Sequence, residues 1–153
     1  PVDATVWSNA GTKKLNATNL EATRNLMKAW TDDKGNLLAV NPDTLIVPSN
    51  LRKAAQVVAD SDKEPDTTDN NINVWKGSVD VIEFDFLTDP NVWFLVDSER
   101  MAAFLHWYDR RKAKLEQDKE NFNSEVSAYK VVNRFSRGWD EPSFIFGQTG
   151  QDD

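Results

Sequence analysis

At 153 residues the chain can bury the core of one domain, or of one domain and a piece of another, and its 25 acids against 18 bases (net charge -7) argue against nucleic acid as the main partner, because binding phosphates takes a basic face. Without a cysteine it has neither a disulfide framework nor a thiolate metal site. No apolar run approaches the roughly 20 residues of a membrane-spanning helix, no stretch reads as a signal peptide, and Pro1 in place of an initiator Met reads as a processed, truncated or excised chain.

Residues 1–14 mix small and polar types around Val6 and Trp7, and no stable element is expected there. A first helix is expected over 16–30. Asn16 is an N-cap type, Leu15 and Leu20 are placed to close a hydrophobic staple across it, and Leu20, Met27 and Trp30, joined by Leu26, share one face. The turn Asp32-Asp33-Lys34-Gly35-Asn36 ends that helix. Residues 37–40 and 44–47 read as short β-type runs on either side of Asn41-Pro42-Asp43, where proline and aspartate favour a turn. Ser49 is placed to cap a second helix over 49–59, through Leu51, Ala54, Ala55 and Val58.

From Asp60 to Asn73 there is hardly an apolar residue, and Asp60, Asp62, Glu64, Asp66 and Asp69 crowd around Pro65, so a solvated, mobile loop is expected. Residues 79–86 alternate in polarity with a slip of phase. Val79 and Val81 lie on one parity, Ile82, Phe84 and Phe86 on the other, which a strand accommodates with a β-bulge near Val81 and Ile82. After a turn at Asp89-Pro90, residues 92–96 form a nearly unbroken apolar run ended by Asp97 and Ser98. That is the pattern of a strand buried on both faces, and it is placed at the centre of the core. Over 102–108 the periodicity is ambiguous, since Met101, Phe104, Leu105 and Tyr108 recur at helical spacing while the same stretch also alternates. Residues 127–135 have strand composition and 139–146 repeat it around Pro142, before a polar tail from Gln148.

The chemical inventory is short. His106 is the single histidine, so any imidazole chemistry must use it, yet it stands between Leu105 and Trp107, where a core or strand histidine is several times commoner than a catalyst. Asp60, Asp62 and Glu64 have the alternate spacing of a calcium loop, but Pro65 occupies the position that needs glycine and Asn71 the one that needs glutamate. Carboxylates are numerous, and no pair is tied by the sequence to one cleft, so solvated surface is the better reading of them than glycoside hydrolysis. Six tryptophans, Trp7, Trp30, Trp75, Trp93, Trp107 and Trp139, suit core and interface packing at least as well as a sugar-stacking platform. Arg110, Arg111 and Lys112 are the one compact basic cluster, read either as a solvated strand end or as a contact for a partner's acids. No glycine loop of the phosphate-cradling type and no nucleophile elbow occurs, so no cofactor is expected.

The order of segments is more informative than any of them. LNATNLEATRNLMKAWTDDKGNLLAVNPDTLIVPSNLRKAAQVV, then WKGSVDVIEFDFLTDPNVWFLVD, then FLHWYDRR, then YKVVNRFSRGWDEPSFIFG, resembles the C-terminal half of tailed-phage major capsid proteins, especially the Mu-type head subunit, from about Leu15 to Gly147. The capped helix, the Lys34-Gly35 turn, the strand ending in Val47-Pro48, the second helix and the Trp93-to-Asp97 strand carry the resemblance together. It implies a mixed α/β (α+β) subunit: an N-terminal segment (1–14), an axial-type capsid domain with a central mixed sheet flanked by helices and C-terminal peripheral-domain strands (15–147), and a polar tail (148–153). It also implies that 102–108 is a strand, and that an arm, an extended loop and a spine helix precede this region in the family.

The function implied is structural. The subunit joins other copies in the pentamers and hexamers of an icosahedral head, in the virion and, during assembly, in the host cytoplasm. Enzymatic activity, a cofactor, a metal, a specific nucleic-acid site and a membrane are not expected, and the isolated chain is expected to be monomeric. The candidate subunit-interface residues are Glu64, Asp66 and Asp69 on the acidic loop, placed at the rim around the symmetry axis where they repel their copies, and Arg110 and Arg111. The competing readings are an aromatic-platform carbohydrate-binding module and, behind it, an enzyme using carboxylates.

Overall fold

In the computed structural model, which describes residues 8–63, 71–117 and 129–151, the chain runs β1 (Ala10–Gly11), α1 (Ala17–Lys28), β2 (Thr44–Val47), a 3-10 turn (Ser49–Leu51) leading into α2 (Arg52–Asp60), β3 (Asp80–Glu83), β4 (Trp93–Val96), α3 (Ser98–Phe104), β5 (Leu105–Gln117), β6 (Tyr129–Trp139) and β7 (Ile145–Gln148). It divides into two units, Pro1–Phe104 with Glu141–Asp153, and Leu105–Asp140. The class is α+β, as the resemblance implies.

Helix α1 starts where the capping chemistry puts it, with the Asn16 side-chain oxygen accepting the Asn19 N–H at 2.7 Å. Leu20, Thr23 and Met27 are buried on its inner face, and Trp30 is buried just beyond it. Leu26, expected on that face, is exposed, because the three-and-four spacing from Leu20 selects Thr23 and Met27 instead. The Thr23 hydroxyl satisfies itself by donating to the Asn19 carbonyl one turn back, at 2.7 Å. After the helix, Asp32 closes the turn by accepting the Lys34 and Asn36 N–H groups, each at 2.8 Å, and hydrogen bonds from Asn36 hold its carboxyl below the ordinary range. The β-type run expected over 37–40 reduces to one bridge, Thr31 with Leu37. Ala39 enters the left-handed region at φ 53° and ends any extended run there.

The five-stranded sheet of the first unit has the order β1-β7-β4-β2-β3. Strand β4 lies at its middle, as its apolar run predicts, antiparallel to β2 on one side and to β7 on the other, while β3 and β1 add in parallel at the edges. Trp93 and Leu95 are fully buried, and with Leu20, Met27, Trp30, Leu45, Val47, Ala55, Val58, Trp75 and Phe146 they form one core. The Trp93 indole N–H donates to the Lys13 carbonyl at 3.0 Å, so burial leaves no polar atom of that ring unpaired.

Several sequence expectations are corrected. Residues 1–14 are not without structure, since Ala10 and Gly11 pair with Gly147 and Gln148. Gln148, expected to open a polar tail, is a buried residue of β7: its side-chain oxygen accepts the Lys13 N–H and its amide donates to Thr23 Oγ1, both at 2.9 Å. Ser49 does not cap the second helix; its hydroxyl donates to Asp85 at 2.9 Å and the helix opens as a 3-10 turn. The strand expected over 79–86 is only Asp80–Glu83, paired with Thr44–Val47 in continuous register without a bulge. The slip of phase arises because Phe84 and Phe86 lie beyond the strand's end. Finally, 102–108 is not one strand. Asp97 accepts the Arg100 N–H at 2.9 Å and so caps α3, which continues to Phe104 before β5 begins at Leu105.

Candidate functional site

The second unit is a two-stranded hairpin, β5 antiparallel to β6, with long strands and no third strand among the described residues. Its register places Leu105 opposite Trp139, Trp107 opposite Arg137 and Leu115 opposite Val131, with Phe135 and Tyr129 at odd-numbered positions along β6. Because strand side chains alternate between faces, Leu105, Trp107, Leu115, Tyr129, Val131, Phe135 and Trp139 share one face. All seven are between 42% and 67% exposed. Trp107 stacks on Phe135, with centroids 4.5 Å apart at 14°, so the face is partly organised but uncovered. A lone hairpin is marginal in water, and an exposed apolar patch of this extent is the mark of a contact surface.

Register shifts on β5 between Asp109 and Arg111, and between Arg111 and Lys114, fall on the basic cluster that the sequence singles out. Arg110 Nε donates to Ser136 Oγ at 3.4 Å, and Arg111 pairs with Glu116 at 2.5 Å. Lys130 reaches the same carboxylate at 3.3 Å, and its hydrogen bond, with the Arg111 charge behind it, holds Glu116 below the ordinary carboxylate range. Both arginines therefore sit exposed on the hairpin, Arg111 satisfied within it. Of the other interface candidates, Glu64, Asp66 and Asp69 lie outside the described residues. The described residues on either side of them are held in place: Lys63 bridges to Ile72, Lys76 pairs with Asp62, and the buried Asn73 amide donates to the Val58 carbonyl at 2.7 Å.

In the first unit the carboxylates of Asp97 and Asp43 are engaged in structure. Asp97 Oδ2 accepts the Asn41 N–H at 2.7 Å while Oδ1 caps α3. Asp43 accepts the Ser98 N–H at 3.0 Å, the Ser98 hydroxyl at 2.5 Å and the Thr44 hydroxyl at 2.9 Å. Burial pushes its carboxyl up, but these hydrogen bonds outweigh it and leave the group below the ordinary aspartate range. Arg100 donates to Ser143 Oγ at 3.0 Å and to the Leu38 carbonyl. His106 is a strand histidine, as read, but an exposed one, with Nε2 2.9 Å from Asp140. Among the described residues no group of three or more His, Asp or Glu side chains is placed to hold a metal ion. The tryptophans divide: Trp30, Trp75 and Trp93 are in the core, while Trp107 and Trp139 lie on the hairpin face.

The sequence reading missed that face. Its signal was present in the alternation of Leu105 and Trp107, and of Tyr129, Val131, Phe135 and Trp139 across the other strand, but the two halves become one surface only through the pairing.

Residues 5–87, more than half of the chain, match the family model described as Mu-like prophage major head subunit gpT. No curated protein matches the chain.

Proposed function

The chain belongs to the Mu-like prophage major head subunit gpT family, and from that premise we propose that it is a repeating subunit of an icosahedral phage shell, joining its own copies in pentamers and hexamers that enclose the genome. Membership of the family carries a structural role in a phage head. The finer reading assigns the five-stranded unit to the axial domain around the symmetry axis and the β5–β6 hairpin to contact with a neighbour. The observation that supports it is the hairpin's uncovered apolar face, which a surface meant for solvent does not keep and a repeated subunit contact needs. The acidic balance fits an inner surface that does not adhere to packaged DNA. On this reading the chain works in the virion, after assembly in the host cytoplasm.

The test is the protein composition of heads purified from a culture that makes this chain. Peptides covering residues 8–151 are expected among the most abundant in the particle. Heads lacking them would overturn the assignment.

A further inference from the structure

Resting on the reading of the chain as a shell subunit, we propose that the apolar face of the β5–β6 hairpin of one copy docks on the β3 edge of the next, a head-to-tail contact between unlike surfaces. The β3 side of the first unit has the features of the complement. Strand β3 is an edge of the sheet among the described residues, and the chain leaves it through Phe84 and Phe86, whose rings lie 5.5 Å apart. Phe86 is 83% exposed, and Ile82 and Phe84 are about half exposed beside it. Acids interleave with these apolar residues: Asp80 and Glu83 on the strand, and Asp85 between the two rings. Asp85 is held by the Ser49 hydroxyl and Glu83 by Arg52 at 3.0 Å, so the patch is a positioned surface rather than a loose one.

Charge chooses between the two ways in which copies can meet. From Leu105 to Asp140 the sequence has eight bases and six acids, whereas the rest of the chain has ten bases and nineteen acids. Arg137 stands on the apolar face itself, opposite Trp107, with Asp109 opposite Phe135 on the same face, while Arg111, opposite Arg134, and Lys114, opposite Val132, stand on the other face of the hairpin. Two hairpin units, each with an excess of two bases, repel one another over about a Debye length, roughly 8 Å at physiological ionic strength. A hairpin against the acidic, aromatic β3 edge brings opposite charges around an apolar centre, the usual arrangement of a protein interface. A contact between unlike surfaces also allows rings of five or six copies when its rotation closes, whereas a face-to-face contact is complete in a dimer.

The absence of cysteine makes the test direct. Phe86→Cys and Trp107→Cys chains, distinguished by tags of different size, are mixed and oxidised, with Leu37→Cys, an exposed residue bridged to Thr31 in the turn after α1, as the control partner for Phe86→Cys. Docking raises the effective concentration of the matched thiols, so the Phe86–Trp107 pair is expected to cross-link about tenfold faster than the control pair or more. Reversing charge on one side, with Arg110→Glu and Arg137→Glu, is expected to remove that excess. Combining it with Asp80→Lys and Asp85→Lys on the other side is expected to restore it, an outcome that damage to folding does not produce. If Trp107–Trp107 pairs form preferentially, the contact is hairpin to hairpin and the proposal is wrong while the shell reading stands. If no pair exceeds the control, the proposal is also wrong, and the composition of purified heads decides separately whether the shell reading survives.

Discussion

Replacing Trp93 with alanine tests the packing argument at its centre. Trp93 lies on the middle strand with no exposed surface, and truncating a buried aromatic costs about 3–5 kcal/mol. The Lys13 carbonyl also loses its hydrogen bond from the indole, which adds about 0.5–1.5 kcal/mol. Against a total stability of about 5–15 kcal/mol the sum is a large fraction of the fold. With a denaturant slope of about 2 kcal/mol per molar, the urea midpoint should fall by roughly 2 M. Far-UV circular dichroism is the suitable probe, because six tryptophans spread the fluorescence signal over both units. Trp107→Ala provides the internal contrast: its ring is 60% exposed, so the midpoint should move by only a few tenths of a molar. A Trp93→Ala midpoint equal to the parent's, or the reverse ranking of the two variants, would refute the placement of β4 at the centre of the core.

Gly11→Ala would drive a methyl into the side-chain oxygen of Gln148. Moving that side chain breaks its bonds to Lys13 and Thr23, so a loss of about 1–3 kcal/mol is expected in thermal melts, and no loss would show that β1 is not docked as described. Asp43 is depressed in the folded state, so the stability it contributes is fully present above the ordinary aspartate value of 3.8 and is lost as pH falls through the lower folded value. The stability difference between the parent and Asp43→Asn should therefore shrink below pH 3.8, and a difference that grows there would contradict the hydrogen-bond assignment. On the acidic loop, changing Glu64, Asp66 and Asp69 together to Gln or Asn should strengthen self-association in sedimentation velocity if the loop forms a mutually repelling rim, and should leave it unchanged if the loop touches no copy. Charge variants are more informative here than a salt series, because salt weakens an attractive hairpin contact while it relieves a repulsive rim.

What the sequence made legible was local. Asn16 announces its helix because an N-cap is a property of one side chain and the next turn, and residues 92–96 announce a central strand because no solvent-facing strand is apolar at every position. Where the reading failed, the deciding interaction was distant in the chain or competed with the local one. Ser49 is a good cap by type, but Asp85 takes its hydroxyl. Gln148 looks like the start of a polar tail until Lys13 and Thr23 supply partners for a buried amide. At 102–108 the family resemblance implies a strand throughout, whereas Asp97 supplies the capping chemistry of a helical turn that runs to Phe104 before the strand. The hairpin face was invisible for a related reason: seven residues from two segments become one surface only when Leu105 is paired with Trp139 and Leu115 with Val131.

The measurement that bears most directly on the claim that this hairpin face is a contact between copies is oxidative footprinting of Trp107 and Trp139 in the free chain and in purified heads. Both indoles are exposed in the free chain, at 60% and 67%, and Trp93 is the buried reference in the same molecule. The account predicts ready oxidation of both in the free chain and strong protection of both in the assembled head, with Trp93 protected in each. Equal oxidation of Trp107 and Trp139 in the two states would contradict it.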